Sequence, residues 1–106
     1  MDIMGMMKKA QEMQAKLQEA QEELGRVEVE GLSGGGMVRV TMTAKGELRG
    51  VAIDPSLIVP TDKDMLEDLI VAAFADAKAK ADRAAAEKMQ ALTEGLPLPP
   101  GLKLPF

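Results

Sequence analysis

The chain has 106 residues, with 13 Lys and Arg against 17 Asp and Glu, for a formal net charge of −4. That length suits one domain. The absence of Cys and His excludes disulfides, thiolate metal sites, zinc fingers, Ser-His-Asp or Cys-His catalysis and a histidine pH switch. Phe74 and Phe106 are the only aromatics, too few for a base-stacking platform. No apolar run approaches the roughly 20 residues of a membrane span, and the N-terminus lacks the basic-then-apolar pattern of an export signal. The expectation is a small cytoplasmic protein with no metal, no cofactor, no small-molecule substrate and no membrane partner. Taken as an average, its negative charge argues against nucleic acid.

Gly and Pro divide the chain into four regions. Residues 2–24 read as a long helix. Ile3, Met6, Ala10, Met13, Leu17, Ala20 and Leu24 recur at alternating spacings of three and four, which is a heptad seam. Gly25 is placed to stop it. Residues 26–54 read as three short antiparallel strands. Arg26–Glu30 alternates polar and apolar, and Gly31–Gly36 reads as the loop after it. Met37–Thr43 puts Val38, Val40 and Met42 on one face. A turn follows at Ala44–Glu47, and Leu48–Ile53 puts Val51 and Ile53 on one face and Leu48 on the other. After the Pro55–Pro60 connector, Thr61 reads as an N-cap with Asp62 and Asp64 in the first turn. The second helix covers about 62–93, with Leu66, Leu69, Ile70, Ala73, Phe74, Ala77, Ala81 and Ala84 as its stripe. Its first half is expected on the sheet and its Ala-rich second half against the first helix. Residues 1–94 form the expected domain, and residues 95–106, rich in Pro, Gly and Leu, an extended tail.

The fold class implied is α+β: an α-β-β-β-α protomer with a three-stranded antiparallel sheet. The two helices are about 33 and 48 Å long, against a sheet about 20 Å long. They therefore project beyond the sheet and pack antiparallel as an arm. Such a chain buries little core and leaves open sheet edges and an apolar outer sheet face. A homodimer joined through the sheets is expected, with Val27, Val29, Val38, Val40, Met42, Val51 and Ile53 as its interface.

The sequence resembles the YbaB/EbfC family of nucleoid-associated proteins. The resemblance is carried by Met6-Met7-Lys8-Lys9-Ala10-Gln11 with Met13-Gln14, by Val29-Glu30-Gly31 and Ser33-Gly34-Gly35-Gly36, and by Val38-Arg39-Val40-Thr41. It continues through Gly46-Glu47-Leu48, Ile53-Asp54-Pro55-Ser56-Leu57, Leu66 to Phe74 and Gly95-Leu96-Pro97. It implies a tweezer-like homodimer that binds double-stranded DNA at the nucleoid without catalysis.

Resolved by region, the charge is uneven. Residues 1–16 hold Lys8, Lys9 and Lys16 against Asp2 and Glu12. Residues 77–93 hold Lys78, Lys80, Arg83 and Lys88 against Asp82 and Glu87. The remaining halves of both helices are acidic. Antiparallel packing is expected to set the start of the first helix beside the end of the second, so that both basic halves share the tip of the arm. The candidate DNA-binding residues are therefore Lys8, Lys9, Lys16, Lys78, Lys80, Arg83 and Lys88, contacting mainly phosphate with strong salt dependence.

Plainer readings compete. Mixed Lys and Glu on a long helix also describe a merely solvated face. The methionines at 1, 4, 6, 7 and 13 read as packing filler, and Asp62, Asp64, Glu67 and Asp68 as a complement to the helix dipole rather than a metal site. Gly34–Gly36 lacks the Lys and helix that follow a phosphate-binding loop. The alternative function is a protein-binding adaptor or chaperone-like clamp. No nucleophile, base and orienting group can be assembled, so no enzyme is expected.

Overall fold

The computed structural model describes residues 2–94. Helix α1 spans Ile3–Leu24. Strands β1, β2 and β3 span Glu28–Ser33, Val38–Thr43 and Leu48–Ile53. Helix α2 spans Lys63–Glu94. The strands form one antiparallel sheet in the order β1-β2-β3, so the order is α-β-β-β-α. The expected tail at residues 95–106 lies outside the described residues.

Helix α2 lies across β1 and β2. Its Ala73, Ala77 and Ala81 are fully buried against Val38, Val40, Met42 and Leu57, with Leu66, Leu69 and Ile70 packed around them. The alanines at 73–81 therefore serve the sheet rather than the helix pair. The contact with α1 begins only at Ala84 and Ala85 and continues through Met89 and Leu92. Thr61 is not an N-cap: it sits in a short turn, Pro60–Asp62, that leads into α2.

The first strand departs from the sequence reading by about two residues. Gly31, Leu32 and Ser33 are not loop but pair with Val40, Arg39 and Val38. The reason is steric. A Cβ on Gly31 would lie 2.2 Å from the Ala73 carbonyl oxygen and 2.3 Å from the Ala77 nitrogen. The glycine is there because the helix backbone rests on the strand backbone. The connection proper is only Gly34–Gly36, where Gly35 has φ 68°, a region that side chains disfavour.

The register puts Val29 and Gly31 of β1, and Val51 and Ile53 of β3, on the same face as Val38, Val40 and Met42; Leu48, expected on the other face, joins them because a register shift between Thr41 and Met42 pairs it with Met42. The opposite face carries Glu28, Glu30, Leu32, Arg39, Thr41 and Ala52, with an Arg39–Glu30 ion pair at 3.7 Å. The expected apolar outer face is thus largely polar. The uncovered apolar area lies on the inner face, at β3, which α2 does not reach.

Replacing Gly31 by Ala forces helix and strand apart. We expect Gly31→Ala to lower stability by about 1–3 kcal/mol, the usual range for overpacking. Gly50→Ala, with nothing within 4 Å of the new methyl, is expected to stay within about 0.5 kcal/mol of the parent. Denaturant unfolding of both variants measures the contrast.

Candidate nucleic-acid interface

The seven candidate cations do not form one cluster. Leu17, Ala20 and Leu24 of α1 pack on Ala84, Ala85, Met89 and Leu92 of α2. Glu23 pairs with Lys88, and Lys16, Glu19, Ala20, Glu23, Lys88 and Leu92 line one crevice. The helices are antiparallel, but the end of α2 meets the middle of α1, not its start. The cause is length. Helix α2 spends residues 66–81 on the sheet and has only 82–94 left for the arm. Helix α1 ends four residues before β1, so all of it projects. Residues 3–15 therefore extend about 20 Å past α2 at 1.5 Å per residue.

Lys8, Lys9 and Lys16 are exposed on this projecting helix, away from the apolar seam, and make no ion pair among the described residues. Lys78 and Lys80 sit beside the sheet instead of at the tip. Lys78 is paired with Asp82 at 2.5 Å. Lys80 reaches Asp76 at 3.0 Å and donates to the Glu30 carbonyl at 2.7 Å. Arg83 is exposed, forms no ion pair among the described residues, and lies near enough to Asp76 for its charge to act on that carboxylate. The expected tip cluster thus divides into a free group on α1 and a group on α2 that is mostly neutralised.

Asp76 is the residue that sequence reasoning missed. Its carboxylate accepts the outward-facing Leu32 amide at 2.9 Å and pairs with Lys80. Two turns earlier, Ser33 Oγ donates to the Leu69 carbonyl at 2.6 Å. Asp76 and Lys80 thus hold the Leu32 amide and the Glu30 carbonyl, two backbone groups that an edge strand otherwise presents to solvent. The only sequence signal was the i,i+4 spacing of Asp76 and Lys80, which looks like any helix-surface pair.

The expected dimer interface also needs correction. Val38, Val40 and Met42 are fully buried under α2 of the same chain, so they have no surface left for a partner. Val29 and Ile53 are half-buried at the margin of that core. Val27 and Val51 are exposed. Leu48 on β3 and Phe74 on α2 are exposed as well, and with Val51 these residues are between 43% and 53% exposed. Phe74 lies two residues before Asp76, hence on the opposite flank of the helix, toward β3.

The YbaB/EbfC DNA-binding family matches residues 1–96. The chain belongs to this family. Among YbaB/EbfC relatives, a nucleoid-associated protein of Methylocella silvestris is 60% identical over 99% of this chain and 98% of its own length. A nucleoid-associated protein of Agrobacterium fabrum is 57% identical over the same shares. A crystal structure of an uncharacterised Helicobacter pylori protein superposes with a TM-score of 0.70 at 26% identity, covering 90% of this chain and 96% of that one. The α-β-β-β-α fold is therefore shared well beyond close sequence similarity. The family is one of DNA-binding proteins, not of enzymes. No helix among the described residues is long and apolar enough to cross a membrane.

The Leu32 amide first, and then Lys80, hold Asp76 below its ordinary carboxylate range. A depressed folded pKa gives stability that is present above the unfolded value, near 3.9, and is lost as pH falls through the folded one. Asp76→Asn is therefore expected to lower the melting temperature at pH 7, with the gap to the parent narrowing below pH 3. Thermal unfolding at both pH values tests this.

Proposed function

We propose that the protein is a nucleoid-associated factor that binds duplex DNA as a homodimer, mainly through phosphate contacts. Family membership over residues 1–96 carries the reading. Its physical support is the solvent-facing strip of Lys8 and Lys9 on the projecting half of α1 and Lys16 at its base, together with Arg83. Asp62 just before α2, and Asp64, Glu67 and Asp68 in its first turns, lie at the far end of the molecule from this strip. A negative chain can thus approach a polyanion tip first. The paired residues Lys78, Lys80 and Lys88 contribute less, because each has a carboxylate to leave before it meets a phosphate.

The dimer is proposed to form along β3, where Leu48, Val51 and Phe74 leave an apolar flank and where, among the described residues, no side chain caps the strand edge. Two copies joined there place two arms on one particle, which raises DNA affinity through effective concentration. We expect light scattering to give twice the chain mass for the parent and the single mass for Val51→Asp, a change at an exposed position.

Fluorescence anisotropy on duplex DNA at two salt concentrations tests the binding itself. With about three phosphate contacts per arm, a dimer gives a slope of log K against log salt of about −5. Changing Lys8, Lys9 and Lys16 together to Gln is expected to weaken binding at least tenfold at low salt and flatten the slope by about one per lysine replaced. Absence of binding by the parent at low salt would refute the reading.

A further inference from the structure

The seam of α1 is only partly roofed. Leu17, Ala20 and Leu24 pack on α2. Toward the N-terminus the same stripe runs on through Met13, Ala10, Met6 and Ile3, where no other element packs on it among the described residues. Ile3 and Met6 are 67% and 59% exposed. In heptad terms Ile3 and Ala10 hold the a positions, and Met6 and Met13 the d positions. When two helices pair antiparallel, each a position meets a d position of the other. Ile3 then falls opposite the partner's Met13, and Met6 opposite the partner's Ala10, about a two-fold axis at residue 8. The bare stretch is complementary to itself: residues 3–13 of one copy cover residues 3–13 of another.

We propose that the N-terminal halves of α1 from two copies pack antiparallel along this seam, tip past tip, as a contact separate from the pairing along β3. Charge favours this register. The g positions that flank the seam are Asp2, Lys9 and Lys16. In the antiparallel pair Asp2 faces the partner's Lys16 on both sides of the axis. Both groups are available: Lys16 has no ion pair among the described residues, and Asp2 makes no side-chain cap hydrogen bond. Lys9 alone meets its like, at the axis, so two attractions stand against one repulsion. A parallel pair would set Asp2, Lys9 and Lys16 against the e positions, Met7, Gln14 and Gln21, and form no ion pair. It would also put Ala10 against Ala10 and leave a gap that Met6 fills in the antiparallel pair.

The partner's helix takes over the seam where α2 leaves off. So short a contact buries far less than the roughly 1,600 Å² of a standard stable interface. It is therefore weak, leaves dilute chains separate, and becomes effective where arms are held close together. Lys8 lies on the face of α1 opposite the seam and stays open. With Lys8 and Lys9 of both copies within about one helical turn of the axis, the paired tips carry a concentration of positive charge that neither has alone. The pairing does not rest on DNA binding.

The chain has no Cys, so single cysteines can be introduced without background. Full-length chains with Met6→Cys and chains with Ala10→Cys are mixed in equal amounts at high concentration in a glutathione redox buffer. Mass spectrometry separates the mixed disulfide from the two self-disulfides. The mixed species is expected to exceed either self-disulfide at least fivefold, against about twofold for random pairing. Lys8→Cys, level with the axis but on the outer face, is expected to give at least fivefold less disulfide than the mixture. Random pairing, a preference for self-disulfides, or a yield no higher than that of Lys8→Cys overturns the proposal. The charge register is tested in the same mixture. Asp2→Lys or Lys16→Asp in both chains is expected to lower the mixed disulfide at least threefold, and the two changes together to restore it. Failure of the double change to restore it overturns the proposal as well.

Discussion

The distance between α2 and β1 at Gly31 is the constraint on which the architecture depends. With hydrogen on Gly31 and methyls at Ala73 and Ala77, helix and strand meet backbone to backbone. That approach brings Asp76, Lys80 and the Leu69 carbonyl within hydrogen-bonding reach of β1. It also fixes where the helix lies: over β1 and β2, with β3 beyond its shadow. A larger residue at any of the three positions would lift the helix and loosen all three hydrogen bonds at once.

Helix placement and strand number were legible in the sequence because they rest on periodicity. The alternating three-and-four spacing from Ile3 to Leu24 predicts α1 closely, and Leu48–Ile53 matches β3. What failed was anything that depended on distance between elements. Gly31 reads as a turn residue because glycine in isolation signals backbone freedom; its role as a spacer exists only once Ala73 is opposite it. The offset of the arms was hidden for a similar reason. The stripe of α2 looks uniform in sequence, and nothing in it marks Ala81 as the last residue on the sheet and Ala84 as the first on α1.

The candidate cations were found as a set, but their division was not. Lys78, Lys80 and Lys88 each have a carboxylate partner, one of them from another helix and one shared with a strand carbonyl. Lys8, Lys9 and Lys16 have none among the described residues. Formal charge counting treats these groups alike. Desolvation and pairing do not, since a lysine already held by a carboxylate must exchange one anion for another. The net charge of −4 therefore says little about how this molecule meets a polyanion, because it hides the difference between these paired lysines and the unpaired Lys8, Lys9 and Lys16 of α1.

The asymmetry of the sheet sets a limit on growth. At the outer edge of β1 the Leu32 amide and the Glu30 carbonyl are held by Asp76 and Lys80 of α2, while β3 has no such contact among the described residues. A protein with two open edges can add copies head to tail indefinitely and become a fibre. One with a single open edge can pair only with the same edge of another copy, about a two-fold axis, and the pair then has no further edge to offer. The hydrogen bonds from Asp76 and Lys80 to β1 thus leave that edge with fewer free backbone groups for another strand, as well as fastening the helix.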